Sequence, residues 1–156
     1  TMDGILMKKG IPVLTSFAGL ARIRDKQPVE FTDLIAYAGS SLDPVKIFMR
    51  RRVTSVSNAI SRGSGRVLAN VREVPLAAAG YALDILEASR CAGFGGLIKV
   101  GGPAEPILGC PVAAGKIGIA FYAGVNGAVA AEEMGARIRT LPISMLVHYS
   151  RMADLN

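Results

Sequence analysis

The chain has 156 residues, a formal net charge of +6, and 51% hydrophobic against 19% charged residues. This length fits one domain with a sizeable core. The uncharged run 117–131 is 15 residues long and is interrupted by glycines and an asparagine, so it is poorly suited to span a bilayer. The N-terminus lacks the zones of a signal peptide. We therefore expect a cytoplasmic protein, without membrane contact, that has an apolar surface or a large oligomer interface.

Cys91 and Cys110 are the two cysteines, and His148 is the one histidine. They lack metal-ligand spacing, which argues against a structural zinc site and favours a reduced, intracellular chain. No cofactor is expected. The sequence begins at Thr1, ahead of Met2, as in an excised piece of a longer protein or a chain with a residue left by cloning.

Helical and strand patterns alternate along the first half of the chain. Thr1 is a suitable cap for a short helix that Gly10 stops, and a turn after Asp25 joins two apolar runs as a hairpin. Asp43 and Pro44 are typical of the start of the next helix. The predicted elements are helix 2–9, strands 11–24 and 29–37, helix 44–52, a helix from Thr54 or Ser55 to Arg62, and strand 66–74.

Pro75 opens the longest predicted helix, which runs to about residue 92. Its apolar positions fall near one face: Leu76, Ala79, Leu83, Leu86 and Cys91. A glycine-rich stretch, residues 93–135, follows this helix. Ten of the 18 glycines lie between Gly93 and Gly127, a density that implies tight turns, positive φ angles or close backbone approach.

The glycine-rich stretch predicts buried strands 96–100 and 117–122 and a helix 126–134 closed by Gly135. Strands 138–141 and 143–149 are predicted after it. Strands interleaved with helices predict an α/β fold, in which helices pack on a mixed sheet with parallel and antiparallel pairs.

Short matches between the two ends of the chain suggest an internal duplication. The pairs, in the same order in both copies, are 10–13 with 109–112, 19–21 with 118–120, 21–24 with 136–139, and 34–37 with 146–149. A true duplication would fold the chain as two similar halves around a pseudo-two-fold axis, joined by the central helices. Chance similarity is the alternative, because each match is short.

Motifs for nucleotide binding and nucleophilic catalysis fail on their spacing. Lys116 follows a glycine but precedes Ile117 rather than Ser or Thr, so a Walker A loop is excluded. The glycines at 93 and 95 lack the third glycine of a dinucleotide fingerprint. No Gly-x-Ser-x-Gly elbow occurs, and His148 has no evident nucleophile beside it.

Charged residues gather at two places where a structural role is the simpler interpretation. Arg50, Arg51 and Arg52 end a predicted helix, where they complement its dipole and solvate its surface. No recognition-helix pattern accompanies them, so a DNA-binding patch is less favoured. Glu132 and Glu133 are neighbours on a helix and point in different directions. They make a poor catalytic pair, and helix solubility is the favoured explanation.

Two predicted helix starts are candidate anion sites. At Gly124, Asn126 and Gly127, free backbone N–H groups could hold a carboxylate, and a plain asparagine cap is an equal alternative. Thr54 and Ser55 stand at the other start, with basic residues upstream, and capping is favoured there. A third candidate, Cys110, lies in a loop as a small buried apolar group or a pocket wall, and the former is favoured.

Across these segments the chain resembles the regulatory domain of the NrpR-type nitrogen-responsive transcriptional repressors of archaea. No single motif is specific to the family, but the ordered set of motifs is specific, and it covers nearly the whole chain. The matching residues are 1–6 (TMDGIL) with 10–13 (GIPV), 31–37 (FTDLIAY) with 42–44 (LDP), 53–56 (VTSV) with 63–65 (GSG), and 95–97 (GGL), 105–106 (EP), 108–112 (LGCPV), 118–119 (GI) and 124–126 (GVN). Residues 1–156 would form one effector-binding and dimerisation domain, the later part of a longer family domain.

The resemblance implies a dimerising sensor rather than an enzyme. Repressors of this family have an N-terminal winged helix-turn-helix that binds operator DNA, followed by one or two copies of this domain. Binding of 2-oxoglutarate, which accumulates under nitrogen limitation, releases them from DNA. This sequence shows no winged helix, so DNA contact is expected only through a segment outside it. The partners expected here are a second copy and the dicarboxylate.

The expected ligand-binding residues are Thr54, Ser55, Cys110, Gly124, Asn126 and Gly127. Each helix start would take one carboxylate, with an arginine nearby. Two other functions stay open. One is a small-molecule enzyme that uses the glycine-rich stretch, weakened by the lack of a convergent acid, base or nucleophile. The other is a dimerisation module that binds no ligand.

Overall fold

A computed structural model describes residues 1–139 of the chain. Its elements are α1 (Met2–Lys8), β1 (Leu14–Arg24), β2 (Gln27–Ala36), α2 (Pro44–Arg51), α3 (Val56–Arg62), β3 (Gly65–Pro75), a 3-10 turn (Leu76–Ala78), α4 (Ala79–Cys91), β4 (Leu97–Pro103), β5 (Lys116–Tyr122) and α5 (Asn126–Glu133). Ile138 and Arg139 have no regular structure. The remainder of predicted strand 138–141, and all of strand 143–149, lie outside the described residues.

The five strands form one sheet in the order β2-β1-β3-β5-β4, and each neighbouring pair is antiparallel. The α/β class is confirmed, but the expected parallel pairs are wrong for the described strands. The helices do connect strands that run in the same direction, β2 to β3 and β3 to β4. In each case an antiparallel strand, β1 or β5, lies between the two, so no parallel ladder forms.

Local chemistry explains where several elements begin and end. The Thr1 hydroxyl accepts a hydrogen bond from the N–H of Gly4 at 3.3 Å, and the Asp43 carboxylate accepts one from Val45 at 3.0 Å. Both predicted caps are therefore confirmed. Asp25 and Lys26 both have positive φ angles, 51° and 62°, as the two-residue turn of a twisted hairpin requires. The predicted hairpin is confirmed.

Side chains alternate between the two faces of the sheet, and each face has its own cover. On one face, residues such as Val74 and Ile119 pack with α1 and α4; the buried members from these helices are Leu6, Ala82, Ile85 and Leu86. On the other face, Val71 and Ala120 lie beneath Ile107 and Cys110 of the β4–β5 loop. A third cluster joins the sheet to α2, α3 and α5.

Two predictions about burial are wrong. In α4 the buried residues are Ala82, Ile85, Leu86 and Ser89, whereas Leu76, Leu83 and Cys91 are exposed. Leu76 lies in the 3-10 turn, outside regular α-helical spacing. Within α4 the buried stripe follows Ala82, Ile85 and Ser89, one position before Leu83 and two before Cys91. β4 is predicted to be buried, but among the described strands it pairs only with β5, at the edge of the sheet, and its Leu97 is exposed.

The predicted internal duplication has partial structural counterparts. Gly10 and Gly109 share a φ of +82°, and Ile11 and Cys110, which follow them, are both buried. The next strand of each copy, β1 or β5, lies beside β3. The last segment of the second copy, 146–149, lies outside the described residues, so the duplication and its pseudo-two-fold axis stay predictions.

Among residues 1–139, no helix is long and apolar enough to cross a membrane.

Candidate functional site

Helices α3 and α5 pack as an antiparallel pair, and a carboxylate joins their ends. Glu133, at the end of α5, accepts hydrogen bonds from the backbone N–H groups of Val56 and Ser57 at 2.9 and 2.8 Å. The Ser57 hydroxyl also donates to the carbonyl of Ala130 at 3.2 Å. The start of α3 therefore holds a carboxylate, as the helix-terminus argument predicts, but the carboxylate is the protein's own.

The pKa of Glu133 reports on this contact. Burial would raise the pKa of the carboxyl, but hydrogen bonds from the backbone of Ser57 and Val56 and from the side chains of Thr54 and Ser57 outweigh burial and lower it. The expectation that Glu133 serves only helix solubility is wrong. One sequence signal pointed to another role, since an acidic residue in the last turn is unfavourable to its own helix dipole.

Ser55 and Asn126 have roles that neither capping nor ligand binding predicted. The Ser55 hydroxyl makes no cap and instead accepts from the N–H of Arg66 at 2.8 Å. The Asn126 amide accepts from the N–H of Leu68 at 2.9 Å and donates to its carbonyl at 2.8 Å. The β3–β5 ladder ends at Ala69 and Tyr122, so Asn126 continues the ladder by one residue with its side chain.

Cys110 lies apart from the other candidates. It is fully buried with Ile107 in the loop that covers one face of the sheet. Burial, and to a lesser extent the charge of Glu73, raises the pKa of its thiol to about 11. The thiol is therefore protonated at neutral pH, and the residue acts as a small apolar group in the core.

Gly124, Asn126 and Gly127 line a groove of about 330 Å³ between α3 and the ends of the strands. Its other walls, within the described part of the chain, are mainly apolar: Ile23, Val56, Ala59, Ile60, Val67, Tyr122 and Ala123, together with the cation Lys26. Val56 from the first turn of α3 also lines this groove. The two predicted helix starts nevertheless lie at opposite ends of α5, because Glu133 at the end of α5 contacts the start of α3. Eight helical residues span about 12 Å, more than a five-carbon dicarboxylate can bridge.

Two adjoining cavities of about 360 and 540 Å³ lie between the end of α2, the start of α3 and the chain that follows α5. Both are lined by Met49, Arg52, Glu132 and Ile138. We call them the basic cleft because cationic side chains dominate their polar lining: Lys46, Arg50, Arg52, Arg137 and Arg139. Thr54 and Glu133 line the larger cavity.

The cations of the basic cleft have no acidic partner among the described residues. The ion pairs found in residues 1–139 are Arg22–Glu30, Arg72–Asp3, Arg90–Glu87 and Lys116–Glu73, and all lie elsewhere. Of the predicted site residues, only Thr54 lines this cleft. Sequence analysis assigned Arg50, Arg51 and Arg52 to a solvated helix end. Of these three, Arg50 and Arg52 line the cleft, and Arg51 does not.

The domain therefore has a concave, cationic surface at the basic cleft. The family model for NrpR regulatory domains NRD1 and 2 matches residues 1–154. The chain belongs to this family of regulatory domains.

Curated relatives agree with this assignment. The chain is 43% identical, over 99% of its length, to the global nitrogen regulator NrpRI of Methanosarcina mazei. It is 30% identical, over 98% of its length, to the global nitrogen regulator NrpR of Methanocaldococcus jannaschii. The matched regions amount to 48% and 27% of those proteins, so the chain spans at most about half of either. The relatives are named as regulators rather than as enzymes, in agreement with the expectation for this chain.

A solved structure shares the fold. The crystal structure of a nitrogen repressor-like protein from Methanococcus jannaschii superposes with a TM-score of 0.74 at 26% identity. The match covers 89% of this chain and 57% of that one.

Proposed function

We propose that this chain is the effector-sensing domain of a repressor of nitrogen-assimilation genes and that it binds 2-oxoglutarate, which relieves repression. The observation that supports this most directly is the basic cleft. It offers five cations without an acidic partner in residues 1–139, in cavities of the size that small ligands occupy. Two carboxylates bind well where several guanidinium groups converge, because charge-assisted hydrogen bonds are the strong ones.

In this proposal Thr54 is the predicted site residue that contacts the ligand, since it lines the cleft. Ser55 supports it from the start of α3. Gly124, Asn126, Gly127 and Cys110 act through the fold, because they lie at the apolar groove or in the core.

The domain works as a homodimer in the cytoplasm, and a winged helix elsewhere in the longer protein contacts DNA. The length of the relatives supports a larger protein, since the matched region is 48% of one and 27% of another. The ligand alters DNA binding only if it prefers one arrangement of the dimer over another.

Calorimetric titration of the chain with 2-oxoglutarate tests the ligand. We expect saturable binding that weakens as salt is raised, because the cleft is open to solvent and charges there are screened. A matched control is 2-oxobutyrate, which keeps the 2-oxo acid group and lacks the second carboxylate; it should bind more weakly. Absence of 2-oxoglutarate binding, together with a concentration-dependent dimer in sedimentation, would instead identify a dimerisation module.

A further inference from the structure

Arg52 occupies a backbone position that arginine rarely takes. It follows the last residue of α2 with φ 50° and ψ 43°, the left-handed region in which glycine usually ends a helix. Side chains with a Cβ are strained there. The backbone is nevertheless well held, since the Arg52 N–H donates to the carbonyl of Met49 at 3.1 Å.

The other non-glycine residues with positive φ have local explanations or lie elsewhere. Asp25 and Lys26 form the hairpin turn, and Ala104 and Leu108 belong to the β4–β5 loop. A glycine at 52 would end α2 without strain. A residue retained in a strained conformation points to a role for its side chain.

Arg52 lies where the two cavities of the basic cleft meet. It lines both, together with Met49, Glu132 and Ile138. Lys46, Arg50 and Arg139 line the smaller cavity with it, and Arg137 lines the larger one. Among the cations of residues 1–139, Arg52 alone lines both cavities.

We propose that Arg52 is the residue that binds an anionic group of the ligand, and that the left-handed backbone at this position serves to present its guanidinium to both cavities. This inference rests on the proposed function, for which the ligand is a small dicarboxylate. The planar guanidinium takes one carboxylate through two parallel hydrogen bonds. The second carboxylate then lies toward the arginines and lysine that line only one cavity.

The test compares Arg52→Gly with Arg51→Ala in the 156-residue chain. Arg51→Ala removes one positive charge next to the cleft but outside its lining. Arg52→Gly should raise Tm by about 2–4 °C, because glycine relieves the left-handed strain. The same variant should weaken 2-oxoglutarate binding about 10- to 100-fold, whereas Arg51→Ala should change it about 2-fold or less through screening alone.

A gain in stability with a loss of binding is the signature of Arg52 as a ligand residue, because damage to the fold would lower both. Arg52→Lys keeps the positive charge and the strained backbone but loses the planar guanidinium with its two parallel N–H donors. It should therefore weaken 2-oxoglutarate binding at unchanged Tm. If Arg52→Gly binds 2-oxoglutarate as Arg51→Ala does, the inference is overturned and the proposed function stands.

A second probe, inorganic phosphate, separates the inference from the proposed function. If 2-oxoglutarate does not bind the unmodified chain but phosphate does, and Arg52→Gly abolishes phosphate binding, then Arg52 is an anion-binding residue for another ligand and the proposed function is wrong. If neither anion binds the unmodified chain, both proposals are overturned.

Discussion

The side-chain amide of Asn126 pairs with both backbone groups of Leu68, at 2.9 and 2.8 Å, in the manner of one more strand residue. Leu68 is fully buried, so water cannot replace a lost partner. The carbonyl of Leu68 also accepts from the N–H of Ala123 at 2.9 Å. The N–H of Leu68, in contrast, has Asn126 as its acceptor. The contact therefore ties the start of α5 to the central strand.

Asn126→Ala should lower the free energy of unfolding by about 2 kcal/mol, because it leaves a buried N–H without an acceptor. Asn126→Asp should also be destabilising, since one carboxylate oxygen still accepts from the N–H of Leu68 but the other faces the Leu68 carbonyl as a second acceptor. Urea denaturation measures both. Asn58→Ala, on the exposed side of α3, is the control. Equal stability of Asn126→Ala and Asn58→Ala would show that the amide contact contributes nothing.

Glu133→Gln should lower stability at pH 7 by about 1 kcal/mol, as loss of a helix cap does. The pKa of Glu133 is lower in the folded chain than its ordinary value. Its ionised form therefore contributes stability above the ordinary value, and that contribution is lost as pH falls through the folded pKa. The difference between the two chains should thus shrink as the pH falls below the ordinary pKa of a glutamate and through the lowered folded pKa.

Urea unfolding of Glu133→Gln at several pH values provides the measurement. Glu132→Gln is the neighbouring control, because Glu132 makes no contact with the first turn of α3 among the described hydrogen bonds. A difference that does not diminish at any acid pH at which the chain stays folded would contradict an ionised cap.

Gly19→Ala should destabilise the chain by about 2–3 kcal/mol. A Cβ at this position would lie 2.6 Å from the backbone carbonyl of Asp33, and backbone in a paired strand cannot move aside cheaply. Gly80→Ala is the matched control, because a Cβ there meets nothing within 4 Å. It lies inside α4 and should gain about 0.5–1 kcal/mol. Thermal unfolding of the two variants should therefore shift in opposite directions.

The two cysteines should react with a thiol reagent at very different rates. Cys91 is exposed, whereas the Cys110 thiol is buried and protonated at neutral pH, with a pKa of about 11. A native chain treated with Ellman's reagent should show one fast thiol and one that reacts only on unfolding. Cys91→Ser should remove the fast phase. Two fast thiols in the native chain would show that the β4–β5 loop opens readily.

Sequence analysis predicted well what is decided by neighbours along the chain. Thr1 and Asp43 cap helices that start within three residues of them, and Asp25 turns a hairpin whose strands are adjacent. Such contacts need only local chemistry. The order of the strands could not be predicted in this way. A helix can connect two strands of the same direction whether they are neighbours in the sheet or have another strand between them.

The site residues were harder to predict because their partners are distant in sequence. Asn126 bonds a residue 58 positions away, and Glu133 bonds residues 77 and 76 positions away. Helix-terminus physics found the start of α3 but could not say that an internal carboxylate occupies it. The signal for the basic cleft was available at Arg52, where a helix ends without the expected glycine, but it was interpreted as a solvated surface.

The place of β3 in the sheet has a consequence during synthesis. Its first partner, β1, has already left the ribosome, but β5 is made only after α4, β4 and the intervening loop. For a time on the order of seconds, one side of the central strand presents unpaired N–H and C=O groups beside apolar residues such as Val71 and Val74. A ribosome that stalls before residue 116 would leave this edge open to another nascent chain. The rate of elongation between β3 and β5 therefore sets how long this edge of the central strand stays unpaired.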